Sequence, residues 1–121
     1  MAMRTIEATP AVAEAEALSA AADLFHAFGD RSRLTIVQHL TLGEHRVVDL
    51  TRHLGLAQST VSKHLACLLD CGIVTVRTEG RSSHYALAHP DTTLDLLAAA
   101  ERLLGVTNDA AAHCTRARAG S

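Results

Sequence analysis

Cys67 and Cys71 stand four residues apart in the run Gln58-Ser-Thr-Val-Ser-Lys-His-Leu-Ala-Cys-Leu-Leu-Asp-Cys-Gly72. On a helix, positions i and i+4 share a face with about 5–6 Å between them, so two sulfurs there can converge on one large ion. Thiolates select soft cations over magnesium or calcium. Free cysteine is also a common small buried hydrophobe, so packing is the competing use of this pair. Both positions fall near the negative end of their helix, which disfavours thiolate formation; neutral thiols are expected, with protons that a bound cation would displace. A third cysteine, Cys114, lies in Ala112-His-Cys-Thr115 near the C-terminus.

The same run supports a second chemistry. At 100° per residue, Val61, Leu65, Leu68 and Leu69 cluster on one side, which must pack inward. Thr60, Lys63 and His64 are expected to face away, and Gln58, Ser59 and Ser62 add polar reach near the helix N-terminus. Lysine and hydroxyl groups hold phosphates, and glutamine can pair with an adenine edge, so this face suits a groove of duplex DNA. A helix N-terminus also favours a phosphate. Arg77 and Arg81 flank a predicted loop from which they would reach DNA backbone or an adjacent minor groove.

The elements that must position these groups can be read along the chain. Residues 1–10 are expected to be disordered, 11–105 to form one folded domain, and 106–121 to be a flexible tail carrying Cys114. Apolar positions Leu18, Ala21, Ala22, Phe25 and Phe28 recur at helical spacing. Gly29 breaks that pattern, and Asp30 is placed to cap a second helix over 31–41. A short helix over 47–54, the turn Gly55-Leu56-Ala57 and the helix from Gln58 to Cys71 form a helix-turn-helix pattern, with Gly72 as the stop. Ile73 to Thr78 and Ser82 to Leu87 alternate with period two around Glu79-Gly80-Arg81, which predicts a two-stranded β-hairpin wing. Pro90 opens a last helix, which Gly105 is expected to end.

The expected fold is therefore mainly α, a winged helix-turn-helix. The first and last helices are apolar on more than one side, more than one small domain can cover, so they are read as the seam of a homodimer.

Composition narrows the function classes. The 121-residue chain is 48% hydrophobic but has no Trp, one Tyr and two Phe, so its core must be aliphatic. Net charge is −2, yet the acids Glu7, Glu14, Glu16, Asp23 and Asp30 crowd the first thirty residues, leaving residues 31–89 net positive. Met1 to Glu7 lacks the apolar core of a secretion signal, no apolar run approaches membrane-spanning length, and three cysteines fit reduced thiols; a cytoplasmic protein with no membrane partner is expected. No catalytic triad order, paired-carboxylate motif, phosphate-binding glycine loop or cofactor fingerprint is present, so no enzyme is expected.

The run Leu54-Gly-Leu-Ala-Gln-Ser-Thr-Val-Ser-Lys-His-Leu65, with Cys71-Gly-Ile-Val74, Glu79-Gly-Arg-Ser-Ser-His-Tyr-Ala-Leu87 and Phe28-Gly-Asp-Arg-Ser-Arg-Leu34, resembles the ArsR/SmtB winged-helix repressors. The resemblance spans roughly residues 24–104. It implies a dimer that represses efflux or detoxification genes and leaves its operator when a ligand binds.

Two of the family's ligand patterns are missing. Where one places paired cysteines before the third-helix aspartate, this chain has Arg46 and Val48. Where another places histidines on the last helix, Asp91-Thr-Thr93 and Ala98-Ala-Ala-Glu101 offer none. The remaining pair, Cys67 and Cys71, is similar to the CmtR-type cadmium- and lead-sensing branch, which implies Cys114 as a third ligand, across the dimer. Cd(II) or Pb(II) is the expected inducer, with Zn(II) or As(III) and a thiol-redox response as alternatives. The other histidines, His26, His39, His45, His53, His84 and His89, are read as polar faces or partly buried packing, and His113 as an auxiliary ligand candidate.

Overall fold

The computed structural model describes residues 10–106. The chain divides into two compact units, Met1–Ala88 and His89–Ser121. Within the first unit the order is α1 (Pro10–Phe28), α2 (Arg31–Leu40), β1 (His45–Arg46), α3 (Val47–Leu54), α4 (Gln58–Asp70), β2 (Val74–Glu79) and β3 (Ser82–Leu87). The second unit holds α5 (Pro90–Val106).

Alanine-rich α1 suits a helix by propensity, and Ala27 is its one fully buried residue among those whose burial is described. Asp30 is extended (φ −127°, ψ 133°) and its Oδ2 accepts from the Arg33 N–H at 3.0 Å, which starts α2 as the sequence predicts. Arg33 closes the end of α1: its Nε donates to the Ala27 carbonyl at 2.6 Å and its Nη2 to the His26 carbonyl at 3.0 Å. Both carbonyls lie in the last turn of α1, where helix ends leave acceptors short of donors; the His26 carbonyl also accepts from the Gly29 N–H at 3.1 Å.

α3 and α4 are joined through Gly55, which takes the left-handed conformation (φ 67°, ψ 24°) that caps α3. α4 ends in a paired cap. Gly72 (φ 73°) donates its N–H to Leu69 O at 3.0 Å, and Ile73 donates to Leu68 O at 2.9 Å. This is the Schellman arrangement, and Leu68 and Ile73 are both buried beside it. Cys71 is therefore the cap residue just beyond α4, where the sequence placed it inside the helix.

The sheet has three antiparallel strands in the order β1-β3-β2, one more than the predicted hairpin. β2 and β3 pair from Val74 opposite Leu87 to Glu79 opposite Ser82, which shortens the connecting loop to Gly80 and Arg81. β1 adds His45 opposite Tyr85 and Arg46 opposite His84. Two residues are too few to carry a period-two signal, so this strand exists through its partner.

The core is aliphatic, as composition requires: Ile36, Val37, Leu40, Leu50, Val61, Leu65, Leu68, Ile73, Val74 and Leu87. Each large side chain buried this way contributes about 1.5–3 kcal/mol. Among the described residues, no buried side-chain nitrogen or oxygen lacks a hydrogen-bond partner. On α1, Leu18 and Phe25 are 65% and 61% exposed; on α5, Leu94 and Leu104 are 46% and 56% exposed. Helix α5 runs through Gly105 rather than ending there. No described helix is long and apolar enough to cross a membrane.

Candidate DNA-contacting face and thiol pair

Burial of Val61, Leu65 and Leu68 fixes the rotation of α4 about its own axis. Gln58, Ser59, Thr60, Ser62 and Lys63 are consequently exposed, as the helical pattern predicts. His64 is a correction to that pattern. Its ring is half-buried, and Nδ1 lies 3.4 Å from Arg33 Nη1 and 3.9 Å from Asp30 Oδ2. The guanidinium can only donate, so the shorter contact makes Nδ1 an acceptor and turns the ring toward the body of the protein. Hydrogen bonding from the Arg33 N–H, with the nearby Arg33 guanidinium, holds the Asp30 carboxyl below its ordinary range.

The two wing arginines differ. The Arg77 guanidinium is engaged with Glu44 through Nε–Oε2 at 2.8 Å and Nη2–Oε1 at 2.7 Å, and with Glu79 through Nη1 at 3.0 Å. That bond also lowers the Glu44 carboxyl's pKa, and His84 Nδ1 lies 3.5 Å from the same carboxylate. Arg77 thus anchors the wing to the segment before β1. Arg81 sits exposed in the two-residue loop. It shares a cleft of about 220 Å³ with Arg46, Val47, Val48, Gln58, Ser82 and Ser83. The N-terminus of α4 and the tip of the wing therefore open onto one concavity containing two arginines. Arg46 was missed by the sequence reading, because only the pairing of β1 with β3 brings it there; its Nε also lies 3.4 Å from Asp49 Oδ2.

Cys67 and Cys71 are both half-buried free thiols. The Cys71 N–H bonds to the Cys67 carbonyl at 3.2 Å, so the two residues sit one turn apart. Cys71 Sγ lies 3.9 Å from the main-chain oxygen of Asp23 on α1. It borders an open pocket of about 470 Å³ lined by Ala20, Ala21, Asp23, Leu24, Asp70 and Cys71. Burial first, then the neighbouring Cys67, Asp23 and Asp70, push the Cys71 thiol's pKa up. This agrees in direction with the expected neutral thiol, but the main cause is desolvation rather than the helix dipole. Cys114 lies outside the described residues, as does His113.

One constellation escaped the sequence reading entirely. His39, His45 and His53, treated separately as polar or packing residues, come together with one ligand-capable atom from each within 4.8 Å of the others. They stand on three different elements, α2, β1 and α3, so no pattern within one element announces them.

The matched family model, described as a bacterial regulatory protein of the arsR family, covers residues 30–76, which run from the α2 cap into β2. A probable mercury resistance operon repressor of Streptomyces lividans is 38% identical over 93 residues, 77% of this chain and 73% of that protein. An HTH-type transcriptional regulator, CmtR, of Mycobacterium bovis is 38% identical over 102 residues, 84% of this chain and 86% of that protein. Among solved structures, a homodimeric winged helix-turn-helix DNA-binding domain from Mycobacterium bovis matches with a TM-score of 0.65 at 29% identity, over 76% of this chain and 89% of that one. With its winged helix and the sequence spanned by these relatives, the chain belongs to the arsR family of bacterial regulatory proteins, DNA-binding transcriptional regulators and not enzymes.

Proposed function

We propose that this protein is a cytoplasmic, dimeric repressor that binds operator DNA and is released by a soft thiophilic cation, Cd(II) or Pb(II), held by Cys67, Cys71 and Cys114. The observation that carries the reading is the position of Cys71, whose sulfur joins the end of the helix bearing Gln58, Ser59, Thr60, Ser62 and Lys63 to the main chain of α1. Exposed Leu18 and Phe25 on α1 support a role for that helix in dimerisation. The homodimeric relative and the CmtR and mercury-operon relatives point the same way.

The donor set suits such an ion. Two half-buried sulfurs, one bordering an open pocket, are accessible without unfolding the core. The carboxylates of Asp23 and Asp70, which disfavour a bare thiolate at Cys71, favour a cation there by the same electrostatics. A bound soft cation supplies the charge that makes thiolate the stable state of each ligand. Loss of the Cys71 proton removes its hydrogen bond to Asp23, and the sulfur must turn toward its new partner. The end of α4 is then repositioned against α1, and the spacing of the two DNA-contacting helices changes with it. Arg46 and Arg81 join the α4 face as DNA contacts in this reading, with Arg77 bracing the wing.

The test is a titration of reduced full-length protein with Cd(II), following sulfur-to-metal charge-transfer absorption and operator release together. Saturation at one ion per protomer with simultaneous release supports the proposal; release by arsenite or peroxide but not by Cd(II) or Pb(II) replaces it with the arsenite or redox alternative. Individual Cys67→Ser, Cys71→Ser and Cys114→Ser variants assign the ligands.

A further inference from the structure

We propose that His39, His45 and His53 form a second metal site, a nitrogen-donor site for a borderline divalent cation of the Zn(II) class, separate from the thiol pair. The three residues come from three elements: His39 from the last turn of α2, His45 from β1 and His53 from the end of α3. One ligand-capable nitrogen from each lies within 4.8 Å of the other two. Zinc–nitrogen bonds of about 2.0–2.1 Å place tetrahedral ligands about 3.3 Å apart, so closure requires side-chain rotations and no rearrangement of the fold.

The geometry shows which rings must move. His39 and His53 are stacked, with centroids 4.5 Å apart and planes 14° from parallel. Parallel rings aim their lone pairs side by side, so one must turn for both to meet an ion. His53 is the exposed member and can turn into the site. His45 already presents a different plane, 57° from His39 and 65° from His53.

His45 is also oriented for ligation. Its Nδ1 lies 2.8 Å from the Gly43 carbonyl oxygen, which can only accept, so Nδ1 carries the proton and Nε2 keeps a free lone pair. A backbone carbonyl gripping the far nitrogen is the outer-shell arrangement that fixes a ligating histidine's tautomer.

All-imidazole donors suit Zn(II), Ni(II) and Cu(II) better than hard cations, and three protein ligands leave a fourth position for water. An ion there joins α2 to α3, the first helix of the helix-turn-helix, and to β1. Because β1 pairs with β3, the same ion ties the helix-turn-helix to the wing. Binding confined to the folded state raises thermal stability as ion concentration rises.

Co(II) is the probe, used on the full-length chain with Cys67, Cys71 and Cys114 all changed to Ser. The expected result is one Co(II) per protomer, with ligand-field bands, no sulfur charge transfer, and displacement by Zn(II). His53→Ala, which alters an exposed position, should weaken binding at least tenfold and abolish the Zn(II)-dependent rise in Tm. A folded triple-Ser protein that binds neither ion, or binds them equally well with His53→Ala, overturns the proposal and leaves the cluster as ring packing. If the triple-Ser chain does not fold, wild type and His53→Ala are compared directly. Loss of the nitrogen-donor bands with the thiolate bands retained supports the site, and unchanged spectra overturn it.

Discussion

Cys71 Sγ and the main-chain oxygen of Asp23 lie 3.9 Å apart, which ties the C-terminal cap of α4 to the N-terminal helix. A second tie runs through Arg33, which holds the His26 and Ala27 carbonyls at the end of α1 and reaches His64 Nδ1 at 3.4 Å. His64 and Cys71 are separated by seven residues, about 10 Å along the helix. Helix α4 is thus held against α1 at two points, one of them a thiol that metal binding would deprotonate. Displacing that point alone would pivot α4 about the other.

DNA affinity should separate the basic residues. Lys63 is exposed on α4, whereas the Arg77 guanidinium is committed to Glu44 and Glu79. Lys63→Ala should weaken operator binding and lower the salt slope by about 1 for each phosphate that the lysine neutralises. Arg77→Ala should change that slope less. Binding measured from low to high salt compares them, and a larger slope change for Arg77→Ala would show that the wing ion pair opens on DNA.

The apolar face of α1 gives a prediction about assembly. Phe25→Glu places a charge at a position 61% exposed in the single chain. If α1 lies in the dimer seam, the change should cost roughly 2 kcal/mol or more of dimerisation free energy. Light scattering would show a monomer with little operator affinity, while circular dichroism retains the helical signal. A dimer of unchanged strength would move the seam elsewhere.

Asp30 links stability to pH. Its folded-state pKa is depressed, so its contribution is full above the ordinary value of 3.8 and is lost as pH falls through the lower folded value. Asp30→Ala should cost about 1 kcal/mol at neutral pH through loss of the α2 cap. The difference from wild type should shrink in acid, which denaturant melts at several pH values would record.

Core packing under α4 gives a larger effect. Leu65 is fully buried, as are Val61 and Leu68 on the same helix face. Leu65→Ala should destabilise the protein by about 2–5 kcal/mol, read from urea unfolding, with a loss of operator binding that tracks the unfolded fraction.

Much of this arrangement was legible in the chain. The Asp30 cap, the Gly55 turn and the Gly72 stop are local chemistry, and each appears where its residue type demands. What was missed depends on non-local partners. β1 exists because β3 lies beside it, and that pairing brings Arg46 to the cleft with Gln58 and Arg81. The histidine cluster assembles from three elements. His64 was misread for a local reason: it lies only about 60° around the helix from buried Val61, at the edge of the stripe, where Arg33 captures it. The last helix outlasted Gly105, since glycine lowers helix propensity without requiring a stop.

The central claim is that thiol ligation at the end of α4 lowers operator affinity. Its most direct test is fluorescence anisotropy of a labelled operator, obtained by selection from random duplexes, with wild type and Cys71→Ser, each with and without saturating Cd(II). The account predicts that Cd(II) weakens wild-type binding by about 5- to 150-fold, the usual range of coupling between two sites. Cys71→Ser should bind in its metal-free state as wild type does and ignore Cd(II). Equal wild-type affinity with and without Cd(II), or full release of Cys71→Ser by the metal, would contradict it.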